Sequence, residues 1–181
     1  MTAWKSTIFA LALTAATAGA ANAQTPVAVP GAGQTTTLTA IVHDQAQITV
    51  PTGITFDVTA PQSATISSAA SVSLSSIVLA SPTRQLKLSI RANTPGFLPP
   101  GPGCATWSAS DVTWTAPAWE HGSGAAGTLS DSEFTTVALS DMDAASLSTS
   151  GLTFRLASRP AVTCAGNHVL TITWKIESTG G

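Results

Sequence analysis

The sequence predicts an all-β fold, an antiparallel sandwich of about 8–10 short strands with one disulfide. Two observations lead to this prediction. Apolar and polar residues alternate with a period of two in several short segments, as they do in half-buried strands. These segments lie roughly 8–15 residues apart with turn residues between them, and no long helical pattern follows residue 23.

The N-terminal residues have the pattern of a secretory signal peptide, predicted over residues 1–23. Lys5 supplies a short positive region, residues 8–21 are apolar, and Ala21-Asn22-Ala23 is a small-x-small cleavage motif. The apolar run is too short for a membrane-spanning helix, and no second run follows it. We therefore predict an exported protein that is secreted, periplasmic or at the cell surface, with no membrane partner after cleavage.

The exported form, residues 24–181, is predicted to be a linker followed by one domain. Residues 24–34 are rich in Pro and Gly and have no periodicity, so they are interpreted as a linker. Residues 35–181 have the length of a single β-sandwich domain with a sizeable core.

The first half of the domain supplies four predicted strands: residues 35–42, 54–58, 72–79 and 84–93. Residues 47–50 are apolar but end at Pro51, which indicates an edge or a bulge. In residues 72–79 the apolar positions change parity after Ser75-Ser76, which also indicates a bulge.

The second half supplies five predicted strands: residues 105–115, 128–130, 134–139, 152–156 and 168–178. Residues 94–103, 117–127 and 140–150 are predicted as loops from their Pro, Gly and Ser content. An immunoglobulin-like or jelly-roll-like sandwich fits this series. Its two sheets are expected to pack these side chains between them: Leu86, Leu88, Ile90, Phe154, Leu170, Ile172 and Trp174.

The last segment, HVLTITWKIES, shows the alternation most clearly. Leu170, Ile172, Trp174 and Ile176 share one face, and Thr, Lys and Glu residues occupy the other. We predict that this segment is the closing central strand of the sandwich.

The two cysteines, Cys104 and Cys164, are predicted to form one disulfide because the chain is exported. Two free thiols or an intermolecular bridge is the alternative. No other Cys or His lies near either cysteine in the sequence except His168, so a metal site is not predicted there.

Composition argues against some partners. Charged residues are 9% of the chain and the formal net charge is −2, with no cluster of Lys and Arg. Because nucleic-acid binding depends on clustered cations, no nucleic-acid partner is predicted. The hydroxyl-rich surface with little charge is typical of exported structural and adhesive β-proteins.

No catalytic constellation is found in the sequence. His121-Gly122-Ser123-Gly124 could expose backbone N–H groups, but a flexible loop is the simpler interpretation, and no Gly-x-Ser-x-Gly motif is present. His43 and His168 lie on separate segments without metal-ligand spacing. We predict no enzyme activity, no catalytic residue, no cofactor and no metal.

Two acidic pairs are weak candidates for calcium binding. Asp141 and Asp143, and separately Asp131 and Glu133, place carboxylates on predicted loops, where polar solvated loops are the simpler interpretation.

The tryptophans suggest a candidate ligand loop. Trp174 is in phase with inward residues, and Trp107 and Trp114 lie near Cys104, where a buried indole is ordinary. Trp119, next to Glu120 and His121 in a Pro/Gly-rich loop, is the candidate for a surface platform that stacks on sugars. A carbohydrate-binding module is therefore the alternative function.

The first predicted strand also has two interpretations. Residues 35–42 (TTTLTAIV) follow a linker, so the segment could leave its own domain and complete a sheet edge of a neighbour. Alternatively, it is an ordinary first strand of its own sandwich.

Two segments, SDVTWTAPAW…GTLSDSEFTTVA and GLTFRLASRPAVTCAGNHVLTITWKIES, carry a family resemblance. They resemble a loose group of exported bacterial proteins that is similar to the pilin-like, spore-coat-U-like and WxL-like surface sandwiches. The resemblance covers the C-terminal half of the chain and implies a surface protein without known catalytic residues. The predicted function is thus an exported, non-enzymatic structural or adhesive subunit. It would act through sheet edges and loops, with itself, other surface proteins or glycans as partners.

Overall fold

The structure is a computed structural model that describes residue 31 and residues 36–180. The predicted signal peptide, nearly all of the linker and Thr35 lie outside these residues. The chain divides into two units, Met1–Ala40 and Ile41–Gly181, and the fold described below belongs to the second.

The described residues form eleven strands and one 3-10 turn at Ala109–Asp111. The strands are β1 (Gln45–Thr49), β2 (Thr65–Ile66), β3 (Ala70–Val78), β4 (Gln85–Ala92), β5 (Val112–Trp114), β6 (Gly122–Gly124), β7 (Gly127–Thr128), β8 (Thr135–Ser140), β9 (Leu147–Leu152), β10 (Phe154–Leu156) and β11 (Ile172–Thr179).

Three antiparallel sheets result, with strand orders β1-β3-β9, β2-β10-β5-β7 and β11-β4-β8-β6. Buried side chains from all three form one hydrophobic cluster. Cys104 and Cys164 form a disulfide with a Cα–Cα distance of 5.8 Å. The predicted all-β antiparallel fold and its disulfide are therefore confirmed.

β4 lies at the centre of this core. Its alternation places Leu86, Leu88, Ile90 and Ala92 inward, each no more than 3% exposed. β11 and β8 pair with its two edges. The predicted strand over residues 84–93 is confirmed, because β4 spans Gln85–Ala92 and buries the apolar face that the alternation indicates.

The bulge predicted near Ser75-Ser76 is also confirmed. The pairing of β3 with β1 shifts between Gln47↔Ser75 and Gln45↔Val78. Ser76 has φ +52°, which lies in the left-handed region. This local turn of the backbone explains why the apolar positions change parity along β3.

Two predicted strands are wrong. Residues 36–42 form no strand, and the first strand of the domain begins at Gln45. Residues 54–58 also form no strand, although Ile54, Phe56 and Val58 are half-buried against the core while their neighbours are exposed. The alternation of apolar and polar residues in 54–58 therefore reflects an extended segment that packs alternate side chains on the core without pairing with another strand.

Two predicted loops are wrong in part. β6 lies inside the predicted loop 117–127 and pairs with β8, and β9 takes up the end of the predicted loop 140–150. Glycine is required in β6 for close packing: a Cβ on Gly122 would lie 2.5 Å from the carbonyl oxygen of Leu139. The glycines at this point indicate close approach of two strands.

Leu88→Ala should lower the free energy of unfolding by about 3 kcal/mol, because Leu88 is fully buried and a cavity would remain. Leu98→Ala is the matched control, since Leu98 is 72% exposed, and should cost less than about 0.5 kcal/mol. Urea unfolding of both variants checks the prediction. Equal losses would show that the core is not centred on β4.

Candidate functional site

β11 has an open edge. Its eight residues pair with β4, from Ile172↔Ala92 to Thr179↔Gln85. No strand among the described residues pairs with its other side. β11 is thus an edge strand, and the prediction that this segment is a central strand is wrong. Its unpaired N–H and C=O groups are a template for another strand.

The inward face of β11 is also incompletely covered. Ile172, Trp174 and Ile176 pack against the core but remain partly exposed, whereas their neighbours on β4 are buried. Leu170, just before the strand, is also half-buried. The sequence predicted the inward orientation correctly and the depth of burial wrongly. An added strand that placed apolar side chains beside this face would remove the remaining surface from water.

A polar cluster surrounds Asp44, just before β1, and lies beside the end of β11. The Asp44 carboxylate accepts a hydrogen bond from the N–H of Ala80 at 2.6 Å and pairs with Arg84 at 3.0 Å. The Ser178 hydroxyl beside it, the Ala80 amide and the Arg84 charge together hold the pKa of Asp44 below its usual value. Asp44 thereby joins the start of β1 to the segment before β4, and it lies beside the end of β11.

Asp44→Asn should make stability less dependent on pH under acid conditions. Because the folded pKa is lowered from 3.8, the Asp44 carboxylate stabilises the fold fully above that pH. The stabilisation is lost as pH falls through the lower folded pKa. Urea unfolding near neutral pH and near pH 2.5 should therefore differ less in Asp44→Asn than in the wild type. The same flattening in Asp57→Asn, which changes another exposed carboxylate, would contradict this role for Asp44.

The segment before β1 presents apolar side chains to solvent. Leu38 is 93% exposed, Ile41 is 76% exposed and Val42 is 69% exposed. Its sequence alternates like that of a strand, yet residues 36–42 make no strand pairing. The segment therefore contains residues that favour strands, but its backbone is not paired with any described strand.

The disulfide lies at the other end of β11, near its start. His168 hydrogen bonds through Nδ1 to the Thr106 hydroxyl at 2.8 Å, and its Nε2 is 3.2 Å from the Cys164 carbonyl oxygen. Leu98 and Val169 exchange two backbone hydrogen bonds of 2.7 and 3.0 Å. The predicted loop 94–103 is therefore tied to the chain just before β11.

The expected exposed platform at Trp119 is wrong. Trp119 is only 9% exposed, and its indole lies against Gly124, where a Cβ would approach it to 2.9 Å. Glu120 is exposed and accepts a hydrogen bond from Ser148, and His121 is exposed with φ +59°. The structure brings the three residues together in a tight turn, but the indole is not a surface on which a sugar could stack.

The remaining candidate residues, the histidines and the acidic pairs, do not form a common site in the described part of the chain. Among the described residues, no group of three His, Cys, Asp or Glu side chains could hold a metal ion. Two clefts among residues 36–180 have volumes of about 130 and 180 Å³. Both are smaller than ordinary small-molecule pockets, which begin at about 300 Å³.

Comparisons with protein-family models, with curated proteins and with solved structures found no match. The resemblance to pilin-like and related surface sandwiches stays a prediction. In the part of the chain that the structure describes, no helix is long and apolar enough to cross a membrane.

Proposed function

We propose that this protein is an exported, non-enzymatic structural subunit that assembles by strand addition. Residues 36–42 of one copy would complete the open edge of β11 in another copy. The observation that carries the proposal is the coexistence of an open, half-covered strand edge with an exposed, unpaired segment of strand-like sequence. The disulfide supports an extracytoplasmic location.

The two surfaces fit in length and chemistry. β11 has eight residues, and residues 36–42 with His43 make a segment of the same length. In extended form, Leu38, Ala40 and Val42 share one face, which suits the half-buried face of β11. Main-chain hydrogen bonds along the edge would supply affinity, and the apolar side chains would supply register.

The contact would be heterologous, because the donated segment and the accepting edge are different surfaces of the chain. Contacts of this kind form closed rings or open filaments. Burying a Leu and a Val side chain contributes about 1.5–3 kcal/mol each before the cost of association. With such contacts, this chain would assemble into rings or filaments as a surface subunit.

Size-exclusion chromatography with light scattering on residues 24–181, over a range of concentrations, tests the proposal. We expect masses at integer multiples of the monomer that increase with concentration. Circular dichroism on the same fractions separates ordered assembly from aggregation of unfolded chains. A folded monomer at every concentration would contradict the proposal.

A further inference from the structure

Basic residues are concentrated on the outward face of the sheet that contains β11, β4 and β8. Because β4 buries Leu86, Leu88, Ile90 and Ala92, its residues at 87, 89 and 91 face outward. The register pairs Glu177 with Lys87, Lys175 with Ser89, and Thr173 with Arg91. We call Lys87, Ser89, Arg91, Phe134 and Lys175 the cationic face.

This face carries one carboxylate for three cations. Glu177 pairs with Lys175 at 2.7 Å and with Lys87 at 3.0 Å. Among the described residues, Arg91 has no carboxylate within 4.0 Å. In a chain with a net charge of −2, this local excess of positive charge attracts anions.

Arg91 and Lys175 converge on one aromatic ring. The guanidinium carbon of Arg91 is 4.8 Å from the centroid of Phe134, and Nζ of Lys175 is 5.1 Å from it. Phe134 therefore holds two like charges near one ring through cation–π contacts. Their mutual repulsion would fall if an anion lay between them.

Ser89 lies at the centre of the cationic face. It is only 1% exposed, flanked along β4 by Lys87 and Arg91 and across the sheet by Lys175 and Thr136. Its hydroxyl has no hydrogen-bond partner among the described residues, and neither does Nε of Arg91. Both groups belong to alternate residues on the same face of β4, and each leaves a buried polar atom that a ligand could satisfy.

We propose that the cationic face binds a carboxylate ligand that carries apolar carbon atoms beside its charge, with Arg91 as the principal contact. The planar guanidinium offers Nε–H and one Nη–H side by side, which match the two oxygens of a carboxylate. The Ser89 hydroxyl donates a further hydrogen bond, and Lys175 contributes charge. The apolar ring of Phe134 next to these donors favours an anion carried on a hydrocarbon frame over a bare phosphate.

Lys175 must move aside to admit the ligand, and the cost of this movement is small. Its side chain is 43% exposed, and both its ion pair with Glu177 and its contact with the Phe134 ring are surface interactions that contribute little to stability. The site lies on the outward face of the sheet and does not use the backbone edge of β11. Ligand binding at this site can therefore be tested independently of assembly by strand addition.

Isothermal titration with a short oligouronate tests this site, with a neutral oligoglucan of equal length and inorganic phosphate as the other probes. We expect the oligouronate to bind, the oligoglucan to show no binding, and phosphate to bind at least tenfold more weakly. Arg91→Gln should weaken oligouronate binding at least tenfold. Arg155→Gln, which changes an exposed arginine on β10, should leave it unchanged.

Two further variants distinguish specific binding at this site from nonspecific electrostatic attraction. Arg91→Lys keeps the charge but removes the fork, so most of the binding should be lost. Ser89→Ala should weaken binding about fivefold while leaving the melting temperature equal or higher, because the hydroxyl has no partner in the unliganded fold. Equal effects of Arg91→Gln and Arg155→Gln, full binding by Arg91→Lys, or tighter binding of phosphate than of the oligouronate would overturn the assignment.

Discussion

A protein of residues 24–181 that carries Leu38→Asp should stay monomeric at concentrations where the wild type assembles. Leu38 is 93% exposed in the unassembled chain and would become buried beside the inward face of β11. Aspartate there would lose the apolar contact and bring a charge against the apolar face of β11. A loss of about 3 kcal/mol or more corresponds to over a hundredfold in the association constant.

Thr37→Asp is the matched control for this effect. Thr37 is exposed and adjacent to Leu38, and in an extended segment its side chain points to the opposite face. Assembly of Thr37→Asp, measured by light scattering, should stay close to that of the wild type. If both aspartate variants assemble normally, residues 36–42 do not contribute the added strand.

Removal of the disulfide is the second change with a large expected effect. In Cys104→Ala/Cys164→Ala, the free energy of unfolding should fall by about 4 kcal/mol, because the bond closes a loop with a sequence separation of 60. For a domain of this size the melting temperature would fall by about 8–16 °C. Urea and thermal unfolding measure both quantities.

Reduction of the wild-type disulfide provides the control for the alanine substitutions. The reduced protein and the double variant should unfold at the same urea concentration, since both lack the same constraint. If the double variant is as stable as the oxidised wild type, the fold does not depend on the bond. In that case the backbone pair Leu98–Val169 is sufficient to hold this end of β11.

The sequence predicts the elements that bury one whole face. β4 follows its alternation, since every second side chain faces the core, and β3 does so up to the bulge at Ser75-Ser76. The disulfide follows from the export signal and the count of two cysteines. In these cases the local sequence pattern agrees with the environment that the folded chain provides, so the pattern alone is sufficient to predict the element.

Sequence reasoning is insufficient where pairing depends on distant segments. Residues 168–178 alternate well, but alternation describes the two faces of a strand and not how many neighbours pair with its edges. β11 was therefore expected at the centre of the sandwich and lies at an edge. Residues 36–42 have the same pattern and no partner strand, so a strand-like sequence alone cannot say where the partner lies.

In residues 117–127, the glycines and Trp119 have a different role from the one that the sequence predicts. The Gly residues of β6 suggested a mobile loop, but they allow a close approach to β8. The same close packing buries Trp119, whose flanking Pro and Gly residues suggested exposure. The cationic face was missed because its residues come from β4, β11 and the segment before β8, and only the strand register brings them together.

Hydrogen exchange measured as a function of protein concentration tests the central claim most directly. The amides of residues 36–42 and those of β11 that face its open edge exchange rapidly when they have no partner. The account predicts that both sets become protected together as concentration rises, while the amides of β4 stay protected throughout. Protection that does not change with concentration in either set would contradict assembly by strand addition.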